Sequence, residues 1–362
     1  MANHIELTHE ELQRRIEILK KQDFYKGKSY FPELKSKSIE ERFEDCVEQI
    51  KEYGWPDFNY MVYGMDVKTS DESHKYVNGM EFVYRRNYLN FERNNFNSCC
   101  LLRNKLYFGI FAKSIGIKTP KDLALIENGK ILNISEKFKE ISNMEFLALS
   151  DDMFCKSLDG ENGVGVFHLQ VQGGQFLVNG ASSDIDSFIE SLGDASYIVQ
   201  EKIYQHEEVN RLYPTSINTI RVCTVRNLQS DKIGAWPSIF RVGAGGSHID
   251  NGSQGGIMLD VNLETGMLNK YGYRFAKFGG GTRFTHHPDT NIEFATYQVP
   301  FIKEAIEQCI YFHSMLKDIH SIGWDVVITP EGPAFIEGND DWEIVDSQLD
   351  HGVRDLFERD FF

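Results

Sequence analysis

The chain has 362 residues, which is enough for two to three folding units of ordinary size with their own buried cores. Hydrophobic residues make up 41% of it and charged residues 25%, which excludes a mainly disordered or fibrous protein. Thirty-eight Lys and Arg against 54 Asp and Glu leave a net charge of −16, which disfavours nucleic-acid and anionic-membrane partners. A phosphorylated ligand would therefore need a local basic pocket or metal ions.

The cysteines and the start of the chain indicate a cytoplasmic protein. The six cysteines form no CxxC pair and no Cys/His spacing typical of zinc sites, so we interpret them as scattered reduced thiols. The first residues, MANHIELTHEELQRR, are polar, and no apolar run approaches the roughly 20 residues of a membrane span. We expect a cytoplasmic location without membrane insertion.

Two helices are predicted at the start of the chain. Thr8 and Ser38 are each followed three residues later by glutamate, which is the spacing of a capping box. The spacing predicts helices over 8–22 and 38–53, the second ending at Gly54.

The next part of the chain is less regular. Residues 55–97 are polar and aromatic-rich without a clean period, which predicts irregular structure with one or two short strands. Apolar residues at helical spacing predict a third helix over 98–115, ending at Gly116.

From residue 117 onwards, short β-rich runs alternate with glycine turns. LALIENGKILNI predicts a hairpin with Asn128 and Gly129 at its tip, and GWDVVIT and GPAFIEGN predict another, joined by a Pro-Glu-Gly-Pro turn. Helices are predicted over 183–192 and 299–320. The fold class is therefore α+β, with helices packed on antiparallel hairpins.

A glycine-rich loop, SLDGENGVGV, follows a predicted strand and begins directly after Lys156. Gly160, Gly163 and Gly165 would let backbone N–H groups approach phosphate oxygens, with the lysine as a positive charge beside them. The spacing is neither a Walker P-loop nor GxGxxG, so a structural hairpin remains the alternative.

Three oxygen-bearing side chains cluster near the C-terminus. Asp325 lies in one predicted strand, and Glu337 and Asn339 lie two residues apart in the next, so strand alternation places all three on one face if the strands pair. Such donors beside a phosphate site predict magnesium. The alternative is a solvated sheet face, but the apolar neighbours indicate burial, where an unpaired carboxylate is costly.

Two arginines lie in apolar surroundings. Arg221 in NTIRVCTV and Arg241 in SIFRVG each need an anionic partner if buried. A triphosphate or an acyl phosphate would serve, and so would an internal salt bridge.

Together these features resemble the ATP-grasp enzymes, and most closely the sugar-transfer-associated ATP-grasp family found with cell-surface polysaccharide genes. The resemblance covers roughly residues 100–350 and depends on the order and spacing of seven segments. They are NKLYFGIFAKSIGIKTP, FCKSLDGENGVGV, YIVQEKIYQH, LYPTSINTIRVCTV, SIFRVGAGGSHIDNGSQGGIMLDVNLETG, HHPDT and IGWDVVITPEGPAFIEGNDDW.

The resemblance implies a nucleotide site. Lys105 matches the lysine of the smaller nucleotide-side domain, and Lys156 matches the lysine that contacts the α- and β-phosphates. Glu201 falls at the hinge where adenine binds to backbone groups. The ribose ligand is open between Glu201 and Glu208.

The resemblance also implies the reacting groups. Arg221 and Arg241 match the paired arginines that hold the γ-phosphate and the acyl phosphate. The three oxygen donors described above match the magnesium ligands. Asn251 and the glycines after it, Gly255 and Gly256, resemble the substrate-side loop of the family. One departure is that Asp340-Asp341-Trp342 stands where peptide-ligase branches continue with Pro-Gly, so their acceptor chemistry does not transfer.

For the whole chain, the resemblance implies two α+β subdomains whose antiparallel sheets grip ATP between them. We predict a largely helical N-terminal extension over 1–95, the smaller nucleotide-side subdomain over 96–203, and a C-terminal subdomain over 204–362 that carries the metal and acyl-phosphate site.

The implied activity is a carboxylate–amine ligase that uses ATP and two Mg²⁺ ions and joins an amine or amino acid to a uronic acid or other carboxylate. Two alternatives stay open: a kinase that phosphorylates a sugar or small-molecule hydroxyl, and a nucleotide-binding partner of a glycosyltransferase without turnover. The expected substrates are small molecules or saccharides. A homodimer and association with a glycosyltransferase are both compatible with the resemblance.

Overall fold

The computed structural model describes residues 7–93, 96–160, 165–275 and 282–362. Eleven α-helices lie within these ranges, and a π-helix, Tyr88–Arg93, continues the fourth. The α-helices are α1 His9–Lys20, α2 Ile39–Tyr53, α3 Ser70–Ser73, α4 Gly79–Asn87, α5 Cys100–Arg103, α6 Lys105–Ser114, α7 Asn143–Leu147, α8 Ile185–Ser191, α9 Glu207–Leu212, α10 Ile302–Met315 and α11 Arg354–Phe361.

Within the described ranges, the strands form two antiparallel sheets, which confirms the predicted α+β class. The first sheet has the order β3-β2-β1-β8-β4-β5-β6-β7. Its strands are β1 Asp122–Glu127, β2 Lys130–Asn133, β3 Lys139–Glu140, β4 Asp152–Ser157, β5 Val166–Gln172, β6 Gln175–Val178, β7 Ala181–Ser182 and β8 Tyr197–Glu201.

The second sheet has the order β14-β13-β12-β11-β9-β15-β16, and β10 pairs with β9. Its strands are β9 Thr219–Arg226, β10 Ile233–Ala235, β11 Ser238–Val242, β12 Ile257–Val261, β13 Leu268–Arg274, β14 Thr282–Phe284, β15 Ser321–Thr329 and β16 Gly332–Asn339. Every residue of β15 is buried, because the strand lies between two others and both of its faces are covered.

Local chemistry explains the first two helices and the first hairpin. The side chains of Thr8 and Ser38 each accept from the backbone N–H three residues later, and both predicted capping boxes are present. Asn128 and Gly129 have φ values of 50° and 73°, the left-handed conformations that a two-residue hairpin turn needs.

The prediction of one helix over 98–115 is wrong. Asn104 is extended (φ −102°, ψ 114°), and its side chain accepts from the backbone N–H groups of Leu106 and Tyr107. It therefore begins a second helix after α5 has ended at Arg103.

The prediction of irregular structure with strands over 55–97 is also wrong. The described part of this segment holds α3, α4 and the π-helix, and no strand. The side chain of Asn78 accepts from Met80 and Glu81 N–H groups and so begins α4. The apolar period of α4 is not clean because its buried residues include a charged one, Arg86, as well as Phe82.

The N-terminal extension and two helices cover the second sheet. Phe108 of α6 and Phe312 of α10 stack with ring centroids 5.5 Å apart, in a core cluster that also holds Ile220 and Trp324 of the sheet. A separate cluster joins Leu19, Tyr60 and other residues of the extension to Ile239 and Met258. The extension is therefore packed onto the sheet that carries Asp325.

The first sheet runs within residues 122–201 and the second within 219–339. The predicted division at 1–95, 96–203 and 204–362 stays a prediction. None of the helices in the described ranges combines the length and apolarity needed to cross a bilayer.

Candidate functional site

A cleft of about 610 Å³ receives side chains from both sheets, and its charged groups are seven acidic and five basic residues among those described. The acidic residues are Asp159, Asp250, Asp325, Glu337, Asp340, Asp341 and Glu343, and the basic ones are Arg103, Lys105, Lys156, Arg221 and Arg241. Opposite charges so concentrated define a candidate active site rather than a hydrophobic ligand pocket.

Asp325 and Glu337 lie at the centre of this cleft. They are directly opposite one another in the β15–β16 pairing, and Asn339, two residues further along β16, also lines the cleft. The two strands pair as predicted, and a β-bulge between Asp325 and Val326 shifts the register by one residue, so that Glu337 rather than Ile336 lies opposite Asp325.

Asp325 is held by two arginines from neighbouring strands. Arg221 Nε donates to its Oδ1 at 2.5 Å, and Arg241 Nη2 forms a salt bridge with its Oδ2 at 2.7 Å. Arg221 Nη1 also donates to Oδ2 of Asp346 at 3.0 Å, and Arg241 Nη2 donates to Thr219 Oγ1 at 2.7 Å. The internal salt bridge left open for these arginines is thus present, and it lies inside the cleft.

The electrostatics of this group follow from burial and close opposite charge. Burial alone would lower the pKa of Arg221, but attraction to Asp325 and Asp346 outweighs it and raises that pKa well above its usual value. Burial alone would raise the pKa of Asp325, but the two arginines outweigh it and lower that pKa. Arg221 and Asp325 are therefore both charged at neutral pH.

Glu337 is different, because it makes no ion pair with any described residue. Its hydrogen bond from Asn339 Nδ2 is long, at 3.5 Å. Burial, followed by repulsion from Asp325, raises its pKa. A carboxylate that is desolvated and lacks a cation fits the chemistry of a bound divalent metal, for which oxygen ligands are preferred.

The protein itself supplies only part of the ligands that a metal ion would need. Within the described ranges, no three His, Cys, Asp or Glu residues are arranged to hold a metal. Asp325, Glu337 and Asn339 supply two carboxylates and one amide, so further ligands would have to be phosphate or water oxygens, as is usual for Mg²⁺.

Two lysines line the cleft from the side of the first sheet. Lys105, the first residue of α6, donates from Nζ to the carbonyl oxygen of Gly160 at 2.6 Å. Lys156 lies in β4 and forms no ion pair within the described part of the chain. Burial lowers its pKa to about 8, attraction to Glu337 opposes this, and repulsion from Lys105 adds to it. An anion bound here would stabilise its charged form.

The glycine-rich loop is described only at its two ends. Gly160 lines the cleft, and Gly165 has φ of 71° and accepts from the Ser157 backbone N–H at 3.1 Å. The predicted phosphate contact at Gly163 lies outside the described residues.

In the predicted substrate-side loop, only Asn251 lines the cleft. Its side chain accepts from the Ser253 backbone N–H at 3.1 Å. Gly255 and Gly256 are not among the described residues that line the cleft, and a Cβ on Gly256 would stand 1.9 Å from the carbonyl oxygen of Asp250. That glycine therefore allows the backbone to turn back on itself beside Asn251.

Neither predicted ribose ligand lines the cleft. Glu201 is exposed at the end of β8, and its backbone N–H donates to the Lys121 carbonyl oxygen. Glu208 lies in the first turn of α9 and pairs with Arg211 at 3.0 Å. Their roles stay predictions.

The sequence analysis missed several residues in the cleft and next to it. Arg103 Nε contacts both carboxylate oxygens of Asp340 at 3.1 Å, and Thr219 Oγ1 donates to Asp250 Oδ2 at 2.6 Å. These pairs join distant parts of the chain, so spacing carried no signal for them. Asp346 is 8% exposed in a segment without a motif, and only the folded structure brings it to Arg221.

Two antiparallel sheets with this charged cleft between them have the architecture of an ATP-grasp protein. The family model described as sugar-transfer associated ATP-grasp matches residues 84–359, about three-quarters of the chain. The chain belongs to this family.

Solved structures with similar folds are distant in sequence. D-alanine–D-alanine ligase from Bacillus anthracis complexed with ATP is 14% identical, with 70% of this chain and 60% of that chain covered and a TM-score of 0.38. N5-carboxyaminoimidazole ribonucleotide synthetase from Thermotoga maritima is 11% identical, with 70% and 48% covered and a TM-score of 0.37. L-amino acid ligase from Bacillus licheniformis is 9% identical, with 68% and 42% covered and a TM-score of 0.37. The chain thus spans 42–60% of the length of these proteins. No curated protein matches it.

Proposed function

We propose that this protein is an ATP- and Mg²⁺-dependent carboxylate–amine ligase that forms an amide through an acyl phosphate. The observation that carries the proposal is the charge pattern of one cleft. It holds lysines from one side, the paired Asp325 and Glu337 at its centre, and the largely buried Arg221 and Arg241 beside them. Phosphoryl transfer needs this set of charges, because its catalysis is mostly positioning and electrostatic stabilisation.

Each charged group has a role in this proposal. Lys105 and Lys156 would bind phosphate oxygens of ATP. Asp325, Glu337 and Asn339 would hold magnesium, two ions by the family resemblance, with phosphates and water as further ligands. When bound, Mg²⁺ would neutralise charge on the transferring phosphoryl group.

The arginine pair would stabilise the acyl phosphate. In the first step a carboxylate oxygen of the substrate bonds to the γ-phosphorus, and the bond to the ADP oxygen breaks. An amine nitrogen then bonds to the acyl carbon, the carbon–oxygen bond to phosphate breaks, and the nitrogen loses a proton. Arg241 Nη1 has no hydrogen bond to a described residue and is available for the developing anion.

The family description, sugar-transfer associated, motivates the choice of substrates. We propose a uronic acid or an amino acid as the carboxylate and an amine or amino acid as its partner, in the biosynthesis of a polysaccharide or glycoconjugate in the cytoplasm. The two assemblies to be tested are a homodimer and a complex with a glycosyltransferase. Light scattering of the protein alone tests the first, and light scattering of its mixture with the transferase tests the second.

The test measures all products of ATP consumption. Purified protein is incubated with ATP, Mg²⁺ and pooled amino acids and uronic acids. The ligase should release ADP and inorganic phosphate in equal amounts, only when both a carboxylate and an amine are present. ADP with a phosphorylated product and no free phosphate would replace the ligase with a kinase, and no ADP release from any pool would overturn both.

A further inference from the structure

One wall of the cleft is formed by the four residues that follow β16, Asp340 to Glu343, which we call the 340–343 wall. Asp341 and Glu343 are exposed there and pair with no described basic residue. Glu343 and Arg221 line the same cleft, and a Cβ on Gly323 would stand 2.7 Å from Trp342 Cβ and 3.2 Å from Arg221 Cδ. The wall therefore lies beside the arginine that would hold the acyl phosphate.

The N-terminal extension holds this wall from behind through Asn90, which has no exposed surface. Its Nδ2 donates to the carbonyl oxygens of Asp340 at 2.7 Å and Ser321 at 3.1 Å. Its Oδ1 accepts from the backbone N–H groups of His320 at 2.9 Å and Ser321 at 3.2 Å. One side-chain amide thus uses its full hydrogen-bonding capacity to join the start of β15 to the first residue of the wall.

Arg86 makes the second attachment and is 4% exposed. Its Nη1 donates to the carbonyl oxygen of Trp342, and its Nε and Nη2 donate to Asn87 Oδ1 at 3.2 and 2.8 Å. The ring of Trp342 packs on Phe82 of the same helix, with centroids 4.7 Å apart. Backbone and side chain of the wall are therefore both held by the extension.

We propose that Arg86 and Asn90 are positioning residues that fix the 340–343 wall as the acceptor side of the cleft. This inference rests on the proposed function, because the amine must meet the acyl phosphate next to Arg221. An error of about 1 Å in such positioning can cost about 100-fold in rate. The N-terminal extension is then a part of the acceptor site.

A matched pair of arginines tests the proposal. Arg85 and Arg86 are neighbours on α4 and each donates to a backbone carbonyl, but Arg85 binds Phe361 at the C-terminus, at 2.8 and 2.5 Å. In steady-state assays Arg86→Gln should raise the KM for the amine at least about tenfold and leave the KM for ATP within about twofold. Arg85→Gln should leave both within about twofold, and Arg86→Lys should lie between wild type and Arg86→Gln.

The controls separate positioning from general damage. If Arg86→Gln raised both KM values together, or if Arg85→Gln had the same effect, the proposal would be overturned. Should Arg86→Gln fail to give a cooperative melting transition, the same comparison is made with Arg86→Lys.

Hydrogen exchange keeps the proposal testable if the ligase reaction itself is absent. Peptides covering residues 340–346 should exchange faster in Arg86→Gln than in Arg85→Gln, while the β4 peptide should not change. A lack of amine-dependent turnover in the wild type would remove the proposed function. Equal exchange of the wall in the two variants would remove the positioning role.

Discussion

Glu337 and Asp325 face each other across paired strands, yet their surroundings differ. Asp325 is bound by two guanidinium groups, whereas Glu337 makes no ion pair with a described residue. Desolvation of an unpaired carboxylate is unfavourable in the protein without ligands. This unfavourable desolvation free energy is expected for a carboxylate that is stabilised only when a cation binds to it.

Replacing Glu337 by Gln should therefore separate activity from stability. Turnover should fall by at least about 100-fold, because the variant lacks a proposed metal ligand of the phosphoryl-transfer step. The melting temperature should stay equal or rise, since an isosteric neutral amide is cheaper to bury. Glu331→Gln, on the exposed turn of the same hairpin, is the control and should keep full turnover. Retained turnover in Glu337→Gln would show the metal assignment to be wrong.

If Lys156 binds phosphate as proposed, nucleotide affinity should depend on pH. Its pKa of about 8 without ligand means that it is charged below pH 8 and neutral above it. A bound phosphate raises this pKa, so binding takes up a proton above pH 8 and the affinity must fall as pH rises.

Titration calorimetry with Mg²⁺ and ADP checks this. The Kd should be nearly constant below pH 7.5 and rise toward a limit of about tenfold per pH unit above pH 8. Lys156→Met should bind more weakly at pH 7 and lose this pH dependence, and Lys130→Met, at the exposed first residue of β2, should behave as wild type. A wild-type Kd independent of pH up to 9.5 would contradict the assignment.

At the scale of elements, hydrogen bonds tie α10 to the second sheet through buried groups. Trp324 Nε1 donates to Thr224 Oγ1 at 2.8 Å, and this hydroxyl donates to His313 Nδ1 at 2.8 Å. His313 Nε2 then donates to the Ile319 carbonyl oxygen at 2.9 Å, a tautomer assigned from these partners. Burial lowers the pKa of His313 to about 3, so the imidazole is neutral in the folded protein.

This network predicts a pH-dependent contribution to stability. Below pH 6.5 the unfolded chain protonates His313 and the folded chain does not, so its stabilising contribution is complete above pH 6.5 and is lost as pH falls. The destabilisation caused by His313→Gln, measured by denaturant unfolding, should shrink by about 1.4 kcal/mol per pH unit below about 6.5.

His351 provides a control of opposite sign. Its hydrogen bond to Asp260, at 3.2 Å, raises its pKa, so its stabilisation is complete below pH 6.5 and is lost as pH rises through the raised value. Between pH 7.5 and 5.5 the cost of His351→Gln should grow while that of His313→Gln shrinks. Parallel changes in the two variants would contradict both assignments.

Elements with local signals were predictable from the sequence, and those formed by distant contacts were not. The capping boxes at Thr8 and Ser38 and the Asn128–Gly129 turn are encoded within a few residues. Alternation along β16 places Glu337 and Asn339 on one face, but the β-bulge that brings Glu337 rather than Ile336 opposite Asp325 has no signal in the alternation. The Arg221–Asp346 contact links residues 125 apart, and no periodicity reports it.

On the scale of the whole molecule, the extension and the second sheet share two hydrophobic clusters. In the first, residues of the extension pack on Ile239, Met258, Tyr273, Val345 and Leu349. In the second, Val77, Phe82 and Leu89 pack on Cys223, Val225, Trp236, Trp342, Ile344, Val353, Phe357 and Phe361. Fully exposing a large apolar side chain costs roughly 1.5–3 kcal/mol, so removing the extension would cost on the order of 10 kcal/mol or more.

That cost is comparable with the entire free energy of unfolding of a typical protein, about 5–15 kcal/mol. A chain beginning at residue 96 should therefore show no cooperative melting transition in calorimetry, even though it retains both sheets and all the described residues that line the cleft. Co-expression with residues 1–95 should restore the transition and co-purify the two fragments, because the shared clusters form again. Residues 96–362 melting alone at the temperature of the intact chain would show that the extension is an independent attachment, and the 340–343 wall would then need another source of its position.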